Sequence, residues 1–373
     1  MKNILIFEDS SKAKFGGGQK VTLEVINILK EKYNLILVDC LQNSVFKQKA
    51  AKFVSDVVEL NCYGKIIGGN KSAFSLGLKE IILFPFLTIK NLIKLNKYFK
   101  DKNLDKNNTI IYSTTKKNLL LAFILNKLFG FNYIYHAHTY DDKKSFFFKI
   151  IYPAYKNAKK IICVSDFIKN NINLKNCITI YNPIKQIKIN PKKIENKRKI
   201  IVASFSTLIK LKGIEYFMQS YEFLKNKQNV EYWIFGDGNE KEYLKRFENQ
   251  NVKLKGFTTN SEEIMLNNVD IVVAPSIIQE ACPMVPLEAF KCGIPVISTN
   301  IGGQAEIVKD GEVGFLVDIR NPEQIAQKID YLINNPKKYE FLSKNAIKYS
   351  QKFDVINYKK HIIEVFDENI AAG

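Results

Sequence analysis

Residues 280–288 read EACPMVPLE and run directly into the sequence AFKCGIPV. This stretch places two carboxylates, Glu280 and Glu288, eight positions apart with two prolines between them. Pro286 cannot lie in the interior of a helix, because its ring would clash with the carbonyl four residues earlier. The pattern therefore predicts a short helix that has Pro286 in its first turn and Gly293 just beyond its end.

The beginning of this predicted helix has the properties of an anion-binding site. Backbone amides of a first helical turn have no partner within the helix and lie at the positive end of its dipole. We expect the amides of Met284, Val285 and Leu287 to point outward there, with Glu280 on the preceding loop and Glu288 in the first turns. Carboxylates accept strong hydrogen bonds from hydroxyl groups. A ligand that joins a phosphate to a sugar suits such a site.

Short apolar runs rich in isoleucine and valine alternate with longer helical patterns along the whole chain. Continuous runs of this kind are typical of strands buried on both faces of a parallel sheet. They form two series, which predicts an α/β protein with two doubly wound, Rossmann-like parallel-sheet domains. The first series comprises residues 4–7, 35–38, 109–112, 133–136, 161–164 and 179–181, and the second comprises 199–203, 230–235, 252–255, 270–274, 295–298 and 314–317.

A lysine- and asparagine-rich segment, residues 185–199, separates the two series and is the predicted linker. We therefore assign residues 1–187 to an N-terminal domain and residues 188–352 to a C-terminal domain. Residues 353–373 are predicted to form a helix that packs back toward the N-terminal domain. Ligands of open parallel sheets bind beyond the carboxyl ends of the strands, so we expect the site in a cleft between the two domains.

Composition narrows the class of protein. The chain of 373 residues with 46% hydrophobic content can bury two cores, which excludes a disordered protein. Six cysteines without metal-type spacing and only three histidines argue against a structural zinc site and favour a reduced, cytoplasmic compartment. The first residues meet acidic side chains too early for a signal peptide. The longest apolar run, Ile81–Ile89, is too short to span a membrane.

The net charge of +19 is distributed unevenly along the chain. Residues 1–190 hold 31 Lys/Arg and 13 Asp/Glu, whereas residues 191–373 hold 25 and 24. In the basic half, a predicted helix has an apolar face and a lysine face, and an aromatic- and lysine-rich segment follows at residues 143–156. The apolar face is Ile89, Leu92, Ile93 and Phe99, and the lysine face is Lys90, Lys94 and Lys97. These are either ordinary solvated amphipathic helices or a peripheral docking surface for anionic lipid.

An ordered series of motifs makes the resemblance to a known family specific. The chain resembles the nucleotide-sugar-dependent enzymes of retaining glycosyltransferase family 4, the glycosyl transferases group 1, which have the two-domain GT-B fold. The similarity is strong over about residues 200–320 and loose in the N-terminal half. The motifs are the E-x7-E pair, CGIPVIST at 292–299, GGQAEIV at 302–308, DG at 310–311, GFLV at 314–317, and upstream KG at 212–213 and FGDG at 235–238.

The resemblance implies that the domain of residues 1–187 binds the acceptor and that the domain of residues 188–352 binds the nucleotide-sugar donor. It also assigns roles to residues of the C-terminal half. It implies that Glu280 contacts the hydroxyls of the donor sugar, that Glu288 binds the nucleotide ribose, and that Lys212 holds the donor diphosphate. The family usually has an arginine five residues before this lysine, where this chain has Thr207, and Lys210 is the candidate replacement. Taken alone, the glutamates could be a capping acid and a solvated helix residue, and the lysine could start a surface helix.

Further candidates follow predicted strands. Gly17 and Gly18 open a helix expected at about residues 19–30, where their amides can approach a phosphate or an acceptor. In the sequence HAH, alternation along a strand places His136 and His138 on one face. The resemblance places His138 near the transferred sugar, whereas His136 is interpreted as a packed core histidine.

Three other positions complete the set of candidates. Gly236 and Asp237 fit a loop beside the nucleotide. Ser165 and Asn182 also follow strands, where a turn or capping role explains them equally well.

The predicted activity is the retaining transfer of a sugar from a nucleoside-diphosphate sugar, UDP- or GDP-linked, to a glycan or lipid-linked acceptor. We expect it in the synthesis of cell-surface polysaccharide such as lipopolysaccharide, without metal or cofactor. Glu280, His138 and Lys212 are the predicted catalytic residues. The expected location is the cytoplasm, with peripheral contact to the anionic inner face of the plasma membrane.

Three alternatives remain at the level of sequence. A nucleotide-sugar epimerase or a phosphorylase with the same fold would also use a donor site of this kind. A glycosidase could use the carboxylate pair, although the loop and helix context of the pair argues against it. A nucleic-acid-binding protein is suggested by the charge alone, and the chain lacks an interleaved aromatic and basic recognition motif. We therefore expect no nucleic-acid partner.

Overall fold

The computed structural model describes residues 2–8, 16–39, 44–61, 78–195, 199–225 and 227–371. The chain divides into two compact units, each with its own parallel sheet. The first unit, called unit 1, comprises residues 1–164, 168–180 and 358–373, and the second, called unit 2, comprises residues 165–167 and 181–357.

Unit 1 contains a sheet of seven parallel strands in the order β3-β2-β1-β4-β5-β6-β7. The reversal of strand order beside β1 is the topology of a doubly wound domain. The strands are β1 Asn3–Glu8, β2 Asn34–Asp39, β3 Asp56–Glu59, β4 Thr109–Ser113, β5 Asn132–Ala137, β6 Lys160–Cys163 and β7 Cys177–Thr179. The helices are α1 Gly17–Leu29, α2 Val45–Ala50, α3 Leu78–Asp101, α4 Lys116–Phe129, α5 Phe146–Asn157 and α6 Asp166–Ile172.

Unit 2 contains a sheet of six parallel strands in the order β10-β9-β8-β11-β12-β13. The strands are β8 Ile200–Phe205, β9 Val230–Phe235, β10 Val252–Gly256, β11 Ile271–Ala274, β12 Val296–Thr299 and β13 Gly314–Val317. The helices are α7 Ile214–Ser220, α8 Lys241–Leu244, α9 Ser261–Asn267, α10 Met284–Lys291, α11 Gly302–Ile307, α12 Pro322–Asn334 and α13 Pro336–Ser350. The last helix, α14 Val355–Ala371, begins in unit 2 and belongs to unit 1 from residue 358 onward.

The predicted fold class is confirmed, since both sheets are parallel and every predicted strand is present within two residues. The sequence did not predict β3, which reads DVVE and has only two apolar residues between two acids. Such a short run carries little periodicity, and its position at the sheet edge lets its acids reach water.

The C-terminal helix α14 covers the hydrophobic core on one side of the sheet of unit 1. Ile362 and Phe366 of α14 are fully buried in the same cluster as Ile4 and Val25. The ring of Phe366 also packs edge-on against Tyr112, with ring centroids 5.5 Å apart. The last helix therefore supplies part of the hydrophobic core of the first unit.

The segment predicted as a linker packs on unit 2 where it is described. The Lys192 ammonium donates hydrogen bonds of 2.7–2.9 Å to three carbonyls at the end of α9 and just beyond it, those of Met265, Leu266 and Val269. Its backbone amide donates to Ser343 Oγ at 2.7 Å. A lysine at the negative end of a helix is favourable, so residues 185–195 behave as an ordered part of this unit.

Helix α3 buries only part of the apolar face that the sequence predicted. Phe99 is buried and Leu92 is partly buried, as a core-facing side requires, but Ile89 and Ile93 are exposed. The apolar face of this helix is therefore wider than the part of it that is buried.

None of the described helices is long and apolar enough to cross a membrane.

Candidate active site

The helix predicted from residues 280–288 is α10, Met284–Lys291, and it begins just after Pro283. Pro286 is its third residue and therefore lies in the first turn, and Gly293 follows its end with a φ of 64°. One detail of the prediction is wrong: Leu287 is the fourth helical residue, and that amide is the first to bond within a helix. Pro286 has no amide hydrogen, so the first turn presents the amides of Met284 and Val285.

Glu280 lies on the loop between β11 and α10, and its position is fixed from several sides. Its carboxylate accepts a hydrogen bond from the Ser276 hydroxyl and forms a salt bridge with Lys212, with Nζ and Oε2 2.9 Å apart. Its amide donates to Gln304 Oε1 at 3.3 Å, and its carbonyl accepts from the Gly303 amide at 2.7 Å. The side chains of Glu280 and Lys212 are 21% and 25% exposed, so a ligand can reach both.

Lys212 is held by a turn that only glycine can complete. It ends a short 3-10 helix after β8, and Gly213 follows with a φ of 62°. A Cβ atom at Gly213 would lie 2.1 Å from the Pro275 carbonyl oxygen. The Ile277 amide donates to the Leu211 carbonyl at 3.0 Å, which ties this turn to the loop that carries Glu280. The backbone therefore brings the lysine and the glutamate together.

Glu288 lies in the second turn of α10 and is partly exposed. The structure thus places Glu280 before the helix and Glu288 within it, as the spacing predicted. Both side chains belong to elements that follow β11, at the carboxyl end of the sheet of unit 2, together with the amides of Met284 and Val285.

The loop with Gly236 and Asp237 packs closely against the segment after β8. A Cβ atom at Gly236 would lie 1.8 Å from the Ser206 carbonyl oxygen. The Asp237 carbonyl accepts a hydrogen bond from the Leu208 amide at 3.1 Å, while its carboxylate is exposed and lies 3.9 Å from Lys241 Nζ. Gly236 is therefore required for the close packing of this loop against Ser206, whether or not the loop contacts a ligand.

Lys210 is not brought to Glu280. It is exposed on the same short 3-10 helix as Lys212 and lines a small cavity with Glu215 and Glu240. Since successive residues of a 3-10 helix are about 120° apart, two residues of separation turn the side chains in different directions. Thr207 is exposed as well.

The candidates of the N-terminal half form a second group in unit 1. Gly17 and Gly18 are exposed in the first turn of α1, whose end is preceded by Gly16. A Cβ atom at Gly18 would lie 3.8 Å from the ring of His138, so this helix end and that histidine are neighbours. The rings of His136 and His138 lie on one side, with centroids 4.1 Å apart.

Both histidines favour the neutral form. Burial lowers the pKa of His138 to about 4. Burial, and then the neighbouring His138, lowers the pKa of His136 well below its ordinary value. His136 Nδ1 lies 2.6 Å from the Tyr112 hydroxyl, as suits a core histidine. The Nε2 atoms of both rings are buried without a hydrogen-bond partner among the described residues.

Several residues of these two groups were not predicted. Ser276 orients Glu280, and Gln304 contacts its amide while its own Nε2 is buried without a partner in the described chain. In unit 1, the buried Glu8 at the end of β1 accepts hydrogen bonds from Thr22 at 3.0 Å and from Thr114 at 2.8 Å. The only signal that marks Glu8 and Ser276 is their position at the end of an apolar strand, since Glu8 is the last residue of β1 and Ser276 lies two residues after β11.

The remaining predicted positions are structural in character. Ser165 is fully buried, and Asn182 Nδ2 donates to the Cys282 carbonyl at 3.4 Å. Cys282 and Cys292 are buried free thiols, while Cys40 and Cys62 lie outside the described residues. Within the described part of the chain, no group of three or more His, Cys, Asp or Glu side chains is arranged to hold a metal ion.

The C-terminal half of the chain is similar to a known protein family. Residues 185–349, which lie in unit 2, match the model of the family described as glycosyl transferases group 1. The chain is a glycosyltransferase. The matched residues of the enzyme include Lys212, Glu280 and Glu288.

Three relatives illustrate the range of proteins that the enzyme is similar to. The uncharacterized glycosyltransferase MJ1178 of Methanocaldococcus jannaschii is 32% identical over 61% of this chain and 63% of its own length. The N,N'-diacetylbacillosaminyl-diphospho-undecaprenol alpha-1,3-N-acetylgalactosaminyltransferase of Campylobacter jejuni is 25% identical over 79% and 87%. The capsular polysaccharide biosynthesis glycosyltransferase CapM of Staphylococcus aureus is 28% identical over 79% and 83%. The name of the second relative includes a diphospho-undecaprenol acceptor, and that of the third refers to capsular polysaccharide biosynthesis.

A solved structure supports the fold of the enzyme over nearly its whole length. Anabaena Alr3699/HepE, crystallised with UDP and glucose, superposes with a TM-score of 0.77 at 21% sequence identity. The superposition covers 99% of this chain and 100% of that protein. Together with the two parallel sheets, this similarity shows that the enzyme has the GT-B fold.

Proposed function

We propose that the enzyme transfers a sugar from a nucleoside-diphosphate sugar, UDP- or GDP-linked, to a glycan or lipid-linked acceptor with retention of anomeric configuration. The observation that carries this proposal is the Lys212–Glu280 pair, with Nζ and Oε2 2.9 Å apart. A cation suited to phosphate and a carboxylate suited to hydroxyls lie side by side. Their proper ligand is a sugar bonded directly to a phosphate group.

The donor is held by unit 2 in this proposal. Glu280 accepts hydrogen bonds from the sugar hydroxyls, and Ser276 and Gln304 fix it for that purpose. The diphosphate lies against Lys212 and the amides of Met284 and Val285. Glu288, in the next turn of α10, accepts hydrogen bonds from the ribose. Gly236 and Asp237 follow β9 on the same sheet and are proposed to border the nucleotide.

The proposed reaction breaks the bond between the anomeric carbon and the phosphate oxygen. The acceptor hydroxyl forms a new bond to that carbon on the same face, and its proton leaves with the departing diphosphate. Negative charge grows on the diphosphate as the bond breaks, so a preorganised cation and amides stabilise the transition state most. Lys212 supplies that cation. Lys210 remains the candidate second cation where the family arginine is replaced by Thr207, and its side chain, which now lies beside Glu215 and Glu240, must turn toward the diphosphate to act in this way.

The acceptor is assigned to unit 1. The exposed first turn of α1, with Gly17 and Gly18, and the neighbouring His138 offer polar groups without bulky side chains in front of them. His138 has a buried Nε2 atom with no partner among the described residues, which makes it suited to a hydrogen bond with a substrate hydroxyl. Since its pKa is lowered to about 4, it performs this role as a neutral ring.

The acceptor is proposed to be membrane-associated, and the enzyme to work in the cytoplasm at the inner face of the membrane. The relative from C. jejuni has a diphospho-undecaprenol acceptor in its name, which supports a lipid-linked acceptor here. We expect the reaction to need no metal ion or cofactor. Activity in excess EDTA should equal activity in added magnesium, and loss of activity that magnesium restores would contradict this part.

The function is tested by a screen of UDP- and GDP-sugars against the purified enzyme. A true donor at 100 times its dissociation constant should stabilise the protein by about 2.7 kcal/mol, which thermal unfolding detects. NMR of the product with a lipid-linked acceptor should show the donor's anomeric configuration retained. An inverted product would overturn retention. Donor converted without acceptor indicates an epimerase, and glycan cleaved without nucleotide indicates a glycosidase.

A further inference from the structure

Helix α3 of unit 1 carries a row of large apolar side chains that face away from the protein. The row consists of Leu83, Phe86, Ile89 and Ile93, whose exposed fractions are 45%, 54%, 55% and 66%. Spacings of three and four residues place these side chains along one side of a helix. We call this row the α3 stripe. Large apolar side chains in contiguous exposed rows mark a surface that binds something.

The stripe is not the core-facing side of the helix. That side is formed by Thr88, Asn91, Leu95 and Phe99, all of which are buried. Phe99 packs against Phe131 with ring centroids 4.8 Å apart, and Asn91 accepts a hydrogen bond from the Asn61 amide at 2.8 Å. Because these four residues already make the contacts of α3 with the core, packing in the core does not explain why the stripe is apolar.

Lysines accompany the stripe. Lys90, Lys94 and Lys97 are exposed, and the Lys90 ammonium lies 4.5 Å from the centre of the Phe86 ring. Between Leu83 and Phe99 the sequence contains no aspartate or glutamate. Apolar side chains and cations on one exposed surface match the boundary of an anionic bilayer, where acyl chains lie beneath negatively charged headgroups.

A second patch of the same kind lies on α5. Phe146 and Ile150 are 77% and 46% exposed, and the exposed Lys149 lies beside them in sequence. Right-handed crossovers from β3 to β4 and from β5 to β6 place α3 and α5 on the same side of the sheet of unit 1. Both patches therefore belong to one side of this unit.

We propose that the α3 stripe is the surface by which the enzyme docks on an anionic lipid bilayer, with Phe86, Ile89 and Ile93 entering the acyl boundary and the lysines contacting headgroups. The inference deepens the proposed function, on which its biological purpose rests, since a lipid-linked acceptor is reached from the bilayer surface. Each large apolar side chain that moves from water into the bilayer should raise the affinity of the enzyme for the vesicle roughly tenfold. Each lysine near the anionic surface should raise that affinity about fivefold.

The test is flotation of the purified full-length enzyme with vesicles of phosphatidylcholine alone and of phosphatidylcholine with one quarter phosphatidylglycerol. The wild-type enzyme should float with the anionic vesicles and stay behind with the neutral ones. The variant F86S/I89S/I93S should lose at least tenfold in binding, and K90Q/K94Q/K97Q should lose at least tenfold and most of its salt dependence. A matched control on unit 2, F223S/F341S/I356S, removes exposed apolar groups elsewhere and should bind like the wild type.

The outcomes separate this inference from the proposed function. Thermal stabilisation by the nucleotide sugar should be the same in the wild type and in F86S/I89S/I93S, which also shows that the variant is folded. Equal vesicle binding by the wild type and this variant would overturn the inference and leave the donor site untouched. A wild-type dimer that the variant dissociates would assign the stripe to a second copy of the chain and would also overturn it. Failure to bind any nucleotide sugar would instead overturn the proposed function.

Discussion

At the scale of single residues, the Lys212–Glu280 pair is the part of the enzyme on which the donor proposal depends. The spacing of the two glutamates and the proline between them predicted where Glu280 and Glu288 lie relative to α10. The sequence could not predict that the Gln304 side chain contacts the Glu280 amide, because these residues lie 24 positions apart. Ser276 lies only four positions before Glu280, but both residues are on a loop, which has no periodicity that would predict their hydrogen bond. Local sequence patterns predict where a residue lies on its own helix, strand or loop. They do not predict which residues of other elements it contacts.

Lys212→Ala should lower kcat by a factor of about 100 to 1000, because the departing diphosphate loses a cation worth about 3–4 kcal/mol. Steady-state kinetics measure the change. Lys227→Ala is a matched control, since Lys227 also forms a salt bridge, with Glu222 at 2.7 Å, but on the exposed surface. Similar kcat values for the two variants would remove Lys212 from the reaction.

The pH dependence of folding should report the burial of His138. Its pKa is about 4 in the folded chain and about 6.5 in an unfolded one, so the unfolded chain binds an extra proton between these values. Stability should therefore fall as the pH falls from about 6.5 to about 4. His138→Phe should reduce that slope in thermal unfolding by the contribution of one proton. Part of the slope should remain in the variant, because burial also lowers the pKa of His136. An unchanged slope after the replacement would show that His138 does not titrate in this way.

At the scale of elements, the strands were predicted well because buried parallel strands read as continuous apolar runs. The exceptions are instructive. β3 was not predicted, because DVVE has only two apolar residues. For α3 the sequence predicted an apolar face and left open what that face contacts, and the structure shows that Phe99 is buried whereas Ile89 and Ile93 are exposed. Apolar periodicity gives the existence of a helix, but the partner of each face depends on what the rest of the chain leaves uncovered.

The turn at Gly213 should be the most sensitive backbone position near the site. Gly213→Ala combines a φ of 62° with a Cβ atom only 2.1 Å from the Pro275 carbonyl oxygen, so the loop that carries Glu280 must move. We expect a loss of stability at least about 2 kcal/mol larger than in a variant that suffers only the positive φ. Gly311→Ala is that control, since its φ is 71° and nothing lies within 4 Å. Equal denaturation midpoints would show that the turn adapts to a side chain.

At the scale of the whole molecule, the C-terminal helix α14 forms part of the hydrophobic core of unit 1, which contains the N-terminal strands. The sequence predicted a terminal helix that packs toward the N-terminal domain, and the described side chains of α14 from Tyr358 onward that are buried lie in the core of unit 1. The charge of the chain predicted a basic half. The sequence could not predict that the α3 stripe is exposed beside those lysines, because its exposure depends on how α3 packs against the rest of unit 1.

Ile362→Ala should destabilise unit 1 by about 2–5 kcal/mol, since a fully buried side chain is replaced by a cavity. Hydrogen exchange measured by mass spectrometry should show faster exchange in β1 and α1, which share that core. Ile356→Ala, six residues earlier in the same helix and 72% exposed, should change stability by less than about 0.5 kcal/mol. Unchanged exchange in both variants would mean that α14 does not support this core.

The most direct test of the donor site is calorimetric titration of a nucleotide sugar into the wild-type enzyme and the variant Glu288→Ala. Charge-assisted hydrogen bonds to the ribose are worth about 1.5–3 kcal/mol, so the variant should bind the nucleotide sugar about 10 to 150 times more weakly. The free sugar 1-phosphate, which has no ribose, should bind both proteins equally. Equal affinity of both proteins for the nucleotide sugar would contradict the assignment of Glu288 and its helix α10 to the donor.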